Sequence, residues 1–300
     1  MIDEHTEILV DTVAAFIQQL YPCGPNDTEL YLTFDDKLSK VCDLPLNQLY
    51  RIRRYIYGLP DSGKAYYLAY SALLEAEGYS KTKHDPCLFV RRTPTGVTYC
   101  WCHVDDTYVS GTSMAEITSF LEMMKRSKFE ITVKNVVDSY IGIKIRKLHD
   151  GRRELTQPKC LSTLFVNYNI SDKPRVLTPV RPVNQKSRNF SLCDATACRS
   201  LLGGLIFLLR TRFDIAFAVS IAASKSQAPT VSDMDDLLYI LQYLFQTQAK
   251  GLILEKCEPH AELNLTCYVD ASWLSHPDSR SQTGFFVYPL VTQEPSTQNR

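Results

Sequence analysis

Two adjacent carboxylates, Asp105 and Asp106, stand inside an otherwise β-prone run, Tyr99-Cys100-Trp101-Cys102-His103-Val104-Asp105-Asp106-Thr107-Tyr108-Val109-Ser110-Gly111. Strand-forming residues flank the pair on both sides, so the run predicts a hairpin with the pair at its turn. Two-residue hairpin loops favour Asn-Gly or Asp-Gly, and side-by-side carboxylates repel. Asp-Asp is therefore a poor choice for the turn's own stability. A cation that needs hard oxygen ligands supplies a sufficient reason for it. Alone the pair is a weak signal, because most such pairs are solvated turns.

The surrounding pattern sets the hairpin in a larger plan. Ile8-Leu9-Val10 reads as a buried strand ending at Asp11, and Leu30 to Phe34 as another, with loop chemistry between at 21–27. A helix is expected from about Lys64 to Glu77, with Tyr66, Ala69, Leu73 and Leu74 as its apolar stripe and Gly78 closing it. Strands at Asp85 to Val90 and Val97 to Val104 meet across Thr93-Pro94-Thr95-Gly96. A helix from Met114 to Ser127 follows, then strands from Phe129 to Val133 and from Ser139 to Lys147. This order, β-α-β-β-α-β with additions, predicts an α+β fold with a ferredoxin-like antiparallel sheet. In such a sheet the Asp11 strand can lie beside the hairpin, bringing three carboxylates together. Three clustered carboxylates are costly without cations.

The character changes after Gly151. Cys160 to Tyr168 reads as a short helix, and Lys173 to Asn189 as a linker rich in Pro, Arg, Lys and Asn. Three helices are expected at Thr196 to Leu209, Ile215 to Ser224 and Val231 to Thr247. Strands follow at Leu263 to Val269 and Thr283 to Val287, and Val291 to Arg300 reads as a disordered tail. No internal repeat is evident.

With 300 residues, 45% apolar and 22% charged, the chain has the composition of an ordinary globular protein with room for two or more units. No run of eighteen apolar residues is present, and Met1 to Thr6 lacks the order of a signal peptide, so an intracellular protein, cytoplasmic or nuclear, is expected. Net charge is zero, which counts against strong unaided binding to a nucleic-acid backbone. The basic clusters at Arg51, Arg53 and Arg54 and at Lys144, Arg146, Lys147, Arg152 and Arg153 are either a local groove or solvated surface. The ten cysteines contain no CxxC pair and are expected to be reduced.

At this point the chain resembles a known family, the reverse transcriptases of copia-type LTR retrotransposons. Asp11-Thr12-Val13-Ala14-Ala15-Phe16-Ile17 resembles the family's Asp-Val-Lys-Thr-Ala-Phe-Leu. Leu49-Tyr50-Arg51-Ile52 and Tyr57-Gly58-Leu59 resemble the segment around its Leu-Tyr-Gly-Leu-Lys-Gln, and Asp85-Pro86-Cys87-Leu88-Phe89 resembles Asp-Pro-Ser-Leu-Phe. His103-Val104-Asp105-Asp106 resembles the catalytic Tyr-Val-Asp-Asp. Phe129-Glu130 and Ile141-Gly142-Ile143-Lys144-Ile145 resemble Phe-Glu-Met and Leu-Gly-Ile-Glu-Ile. Arg199-Ser200-Leu201-Leu202-Gly203 and Thr211-Arg212-Phe213-Asp214-Ile215-Ala216 resemble Arg-Ser-Leu-Val-Gly and Thr-Arg-Pro-Asp-Ile-Ala. Tyr268-Val269-Asp270-Ala271-Ser272-Trp273 and Asp278-Ser279-Arg280-Ser281-Gln282-Thr283-Gly284 resemble the opening of the fused RNase H domain.

The resemblance implies a right-hand polymerase palm over 1–150, thumb or connection helices over 151–258 with a linker at about 173–189, a truncated RNase H-like segment over 259–290, and a tail at 291–300. It implies RNA-directed DNA polymerisation by nucleotidyl transfer, with two Mg²⁺ held at Asp11, Asp105, Asp106 and Val104. Thr12, Ala15 and Phe16 would border the nucleoside triphosphate. Phe16 matches the aromatic gate against a 2′-hydroxyl, with core packing as the alternative. Asp270 matches the first RNase H carboxylate. Partners would be an RNA template, a DNA primer, deoxynucleoside triphosphates and the other domains of the polyprotein that also carries DNA integration, and no membrane.

Departures from the family pattern open a second reading. The family's fingers region would lie before Asp11, and only ten residues do so here. His103 replaces Tyr, Asp61 stands where Gln is expected, and Phe213 replaces Pro. The RNase H resemblance stops after its second strand, so no RNase H activity is expected. These features suggest a truncated retroelement remnant that is non-catalytic and binds nucleic acid or a partner weakly. A nucleotidyl cyclase is a third class, disfavoured by the thumb-like and RNase H-like segments.

Overall fold

Alternation of side chains decides the first part of the molecule. In the computed structural model, which describes residues 6–22, 28–171, 176–182, 188–256, 262–274 and 281–292, the chain opens with β1 (Thr6–Thr12). Ile8, Val10 and Thr12 point to one side and are buried, which leaves Asp11 on the other. Next come β2 (Tyr31–Leu32), α1 (Asp36–Cys42), β3 (Tyr50–Arg51), α2 (Ser62–Ala76), β4 (Ser80–Lys81), β5 (Leu88–Thr93), β6 (Gly96–His103), β7 (Asp106–Gly111), α3 (Met114–Arg126) and β8 (Ile131–Lys134). Six of these strands form one sheet in the order β4-β5-β6-β7-β1-β8, every neighbouring pair antiparallel.

The helices cover one face of this sheet. Thr98, Cys100 and Cys102 of β6 and Thr107 and Val109 of β7 are the inward residues, buried with Ile8, Val10 and Phe89. Tyr66, Tyr70 and Leu74 of α2 and Ile117, Phe120, Met123 and Met124 of α3 complete that core. The opposite face carries Asp11, His103, Asp106 and Tyr108 by the same alternation. An α+β architecture with an antiparallel sheet is therefore what the chain adopts.

Buried polar groups knit the hairpin β5–β6 to α3. Ser113 caps α3, and Glu116, one turn on, is 2% exposed. Its carboxylate accepts from Thr93 and Thr95 at 2.6 Å each and from Thr98 at 3.0 Å, and pairs with Arg91 at 3.4 Å. The two short threonine bonds lead in holding this carboxyl down at about 2.

Several local readings need correction. Helix α1 has no counterpart in the apolar pattern: the Asp35 carboxylate accepts the Leu38 N–H at 2.8 Å and starts the helix. The strand expected from Ser139 to Lys147 is instead a hairpin, β9 (Ser139–Tyr140) and β10 (Ile143–Lys147). Ile141 and Gly142 turn it, with φ of 49° and 76°, and a two-residue loop with both φ positive matches the twist of its strands. The strand expected from Asp85 starts only at Leu88, because Asp85 accepts the N–H groups of Cys87 and Leu88 in a local turn.

The chain divides into two units, one running to Ile145 and one from Arg146. The second holds β11 (Arg153–Thr156), α4 (Pro158–Asn167), α5 (Ala195–Leu208), α6 (Ala216–Ser224), α7 (Val231–Gln246), β12 (Leu252–Leu254), β13 (Glu262–Ser272) and β14 (Gln282–Thr292). The four helices share a core that includes Leu161, Leu164, Phe165, Leu201, Leu205, Ile215, Leu241 and Leu244. Gly204 permits the close approach of α5 to α4, since a Cβ there would lie 2.8 Å from Leu164. Asp194 caps α5, and Thr230 with Asp233 forms a capping box on α7. Buried Arg212 pairs with Asp214 at 2.8 Å and donates to the Thr247 carbonyl.

The described parts of the expected linker at 173–189 are tied to α7: Val176 N–H donates to Gln246, and Arg181 and Arg188 both pair with Asp236. The remainder of that linker, the loop residues 23–27 and Asp278-Ser279-Arg280 lie outside the described residues. Of the tail expected from Val291, Val291 and Thr292 instead pair with Leu263 and Glu262 in the β13–β14 hairpin. Residues 293–300 lie outside the described residues. Among the described residues no helix is long and apolar enough to cross a membrane.

Candidate active site

The register of β1 against β7 sets Asp11 directly opposite Asp106. Cross-strand partners in an antiparallel pair hold their Cβ atoms about 4.5–5.5 Å apart. The hairpin turns one residue earlier than the carboxylate pair suggests. His103 pairs with Asp106, so the two-residue loop is Val104-Asp105 and Asp106 opens β7. Val104 has φ of 53°, a left-handed conformation that costs a β-branched residue about 1–3 kcal/mol. Asp105 is anchored through its backbone, its carbonyl accepting the Thr12 N–H at 2.9 Å.

Negative charge is concentrated here. Burial, then the charges of Asp105 and Asp11, push the Asp106 carboxyl above its ordinary range, against the opposing pull of Lys134 and His103. On the flanking strand, Thr132 Oγ1 donates to Asp11 Oδ2 at 3.3 Å. Among the described residues, no three His, Cys, Asp or Glu side chains stand in the arrangement of a metal site. By register and loop position the three aspartates share one end of the sheet.

Two tyrosines that the sequence pattern did not single out for the site support it from beneath. Each strand aspartate is followed by an inward threonine, Thr12 after Asp11 and Thr107 after Asp106. Thr12 Oγ1 meets the Tyr66 hydroxyl at 2.8 Å, and Thr107 donates to the Tyr70 hydroxyl at 3.2 Å. Tyr66 and Tyr70 are one turn apart on α2 and stack with ring centroids at 5.6 Å. Burial pushes both phenols well up. The expected stripe of α2 held Tyr66 but not Tyr70. Spacing of four residues, matched to two inward threonines, is the signal that would have found it.

Beyond Asp11 the chain leaves the sheet in tight turns, with Ala14 at φ 47° and Ala15 fully buried. The N–H groups of Thr12 and Val13 are committed to the carbonyls of Asp105 and Glu130. Gln18 clamps the segment, donating to the carbonyls of Val13 and Glu130 and accepting the Glu130 N–H at 3.0 Å. Phe16 is half-buried and packs on Tyr57 with ring centroids 4.6 Å apart. Asp270 lies in the other unit, on β13 opposite Gly284, and is exposed.

An antiparallel sheet backed by helices on one face, with aspartates grouped on its open face, now meets the outcome of comparison with known proteins. Residues 26–182, more than half of the chain, match the family described as reverse transcriptase (RNA-dependent DNA polymerase), and the chain belongs to that family. It resembles the retrovirus-related Pol polyprotein from transposon RE1 of Arabidopsis thaliana, at 27% identity over 245 residues, 81% of this chain and 16% of the polyprotein. The Pol polyprotein from transposon TNT 1-94 of Nicotiana tabacum is 24% identical over 249 residues, 78% of this chain and 18% of its own length. An uncharacterized mitochondrial protein of Arabidopsis thaliana is 29% identical over 192 residues, 63% of this chain and 78% of that protein. Within the family, this is a copia-type retrotransposon reverse transcriptase domain, and it spans about one sixth of the length of the polyproteins it matches.

Proposed function

We propose that this chain carries the polymerase palm of a copia-type reverse transcriptase and acts in RNA-directed DNA polymerisation. The observation that supports this most is the register that sets Asp11 against Asp106 on the face that the helices leave open, with Asp105 in the adjoining loop. The reverse transcriptase family generally uses divalent metals. The donor set fits hard cations, since all three groups are carboxylates, and burial together with the charges of Asp105 and Asp11 already raises Asp106. Asp11, Asp105 and Asp106, with the Val104 carbonyl, would hold two Mg²⁺. When bound, these ions neutralise the carboxylates and stabilise charge on the phosphoryl group.

Around that centre the protein's own groups bind and orient. The N–H groups of Ala14, Ala15 and Phe16 follow the two already committed and would face the triphosphate, beside the Thr12 turn. Phe16, wedged on Tyr57, would limit the space at the sugar. A primer 3′-hydroxyl would attack the α-phosphate on an RNA template, releasing pyrophosphate. The four-helix core would serve as thumb, and β13–β14 with Asp270 as the opening of an RNase H-like segment, within a larger intracellular polyprotein.

Primer extension on an RNA template with Mg²⁺ tests the reading. Incorporation by the wild-type chain and its loss in an Asp105→Asn, Asp106→Asn double variant is the expected result. Equal incorporation by both would sink the assigned role of the pair. The competing reading, a non-catalytic remnant, draws on the zero net charge and on Asp61, which stands where the family has Gln. Mg²⁺ binding by titration calorimetry without any incorporation would favour it.

A further inference from the structure

The helical core gathers three sulfur atoms at the start of α5, away from any role in polymerisation. Cys193 precedes the N-cap residue Asp194, and Cys198 ends the first turn of the helix. Their Sγ atoms are 3.0 Å apart, and Cys198 Sγ lies 3.6 Å from Met234 Sδ on α7. Both thiols are free. Cys193 is held in place from its other side: its N–H donates to the Pro229 carbonyl at 3.0 Å and its thiol to the same oxygen at 3.5 Å. Neighbouring Leu192 bridges Thr230, the cap of α7. The pair is asymmetric, since Cys198 is 3% exposed whereas Cys193 is only half-buried.

We infer that Cys193 and Cys198 form a redox-active dithiol that a small-molecule disulfide, such as glutathione disulfide, oxidises to an intramolecular disulfide. The bond requires an S–S distance of about 2.05 Å, so the two sulfurs need close by about 1 Å, within the reach of χ1 adjustment. Accessible Cys193 reacts first. Its thiolate attacks one sulfur of glutathione disulfide, and the first glutathione leaves as thiolate. Cys198 then loses its proton and attacks Cys193 Sγ, expelling the second glutathione. Two protein thiols are oxidised, one disulfide is reduced, and the two protons end on the two glutathione thiols. Burial pushes the Cys198 thiol up to about 12, and contact with Cys193 adds to this, so the second step is the slow one. Met234 covers Cys198 and keeps outside oxidants from reaching it directly. Oxidation also ends the bond from the Cys193 thiol to Pro229.

The test uses the full chain in buffers of graded glutathione disulfide to glutathione ratio, quenched by alkylation and mapped by peptide mass. The expected result is a Cys193–Cys198 cross-link, two hydrogens lighter than the dithiol and reversed by dithiothreitol. Cys198→Ser should stop at a glutathione adduct on Cys193, and Cys193→Ser should leave Cys198 reduced, both with unchanged helical circular dichroism. If Cys198→Ser fails to fold, the half-buried Cys193→Ser variant still decides the order of reaction. A wild-type chain that keeps glutathione on Cys193 without cross-linking would overturn the inference. So would pairing of either residue with another cysteine, or alkylation of both thiols at every ratio.

Discussion

Two hairpins in this chain begin from similar letters and end in different chemistry. β6–β7 carries His103-Val104-Asp105-Asp106, and β13 carries Tyr268-Val269-Asp270. In the first, the inward residues Cys100, Cys102, Thr107 and Val109 are covered by α2 and α3, and a third strand, β1, brings another carboxylate opposite Asp106. In the second, two eleven-residue strands pair with each other, and Leu265 and Phe285, on the same face, are 78% and 77% exposed. Asp270 faces Gly284 and meets no second carboxylate across the pair. A strand aspartate becomes a candidate ligand when the register supplies a like-charged neighbour and a packed layer holds both in place. The tripeptide alone supplies neither.

The contrast can be broken or sharpened by experiment. The largest effect is expected from the Asp105→Asn, Asp106→Asn variant, in which primer extension should fall by at least about 10²–10³-fold. Asp270→Asn should leave it unchanged, and equal losses in the two would erase the distinction drawn between the hairpins. Next in size is Glu116→Gln, which removes the ion-pair partner of half-buried Arg91, leaves it Ser119 and the Tyr79 ring, and should cost about 1.5–3 kcal/mol in chemical denaturation. The sign of its pH dependence follows from the depressed carboxyl, ordinarily near 4.5 and here about 2. That stabilisation is complete above about 4.5 and is lost as pH falls toward about 2, and the variant should lose this acid-side slope. A smaller gain is expected from Val104→Gly. Relief of the left-handed strain, less the entropy glycine restores to the unfolded chain, should raise stability by about 1 kcal/mol in the same assay. Smallest of all, Val269→Ser on the exposed hairpin should shift stability by less than about 0.5 kcal/mol.

Much of the first unit could be read in advance because alternation and topology are local signals. Asp11 beside the hairpin followed from strand order, and β13 and the helices α2 to α7 were found close to their limits. What escaped depends on information that periodicity does not carry. The carboxylate pair marks the turn region but cannot say that the loop is Val104-Asp105, since either choice keeps apolar residues on both sides. Ser139 to Lys147 reads as one strand because the residues at its bend, Ile141 and Gly142, interrupt no pattern. Helix α1 lies in a charged stretch without an apolar stripe, and its signal is the Asp35 cap. Tyr70 lies outside the apolar stripe of Tyr66, Ala69, Leu73 and Leu74, and what fixes it is its bond with Thr107, a partner distant in sequence that helical periodicity does not reveal.

The alternation of β1 and β7 has a consequence for how this chain can change over time. Substitution at a single position alters one side chain and leaves every neighbour on its face. Deletion or insertion of one residue inside β7 would exchange the faces of all that follow, turning Tyr108 and Ser110 toward α2 and α3 and sending Val109 outward. The strand should therefore tolerate changes of spelling far better than changes of length. A lineage of such chains should keep the residue count between Gly96 and Gly111 long after it has lost the identities.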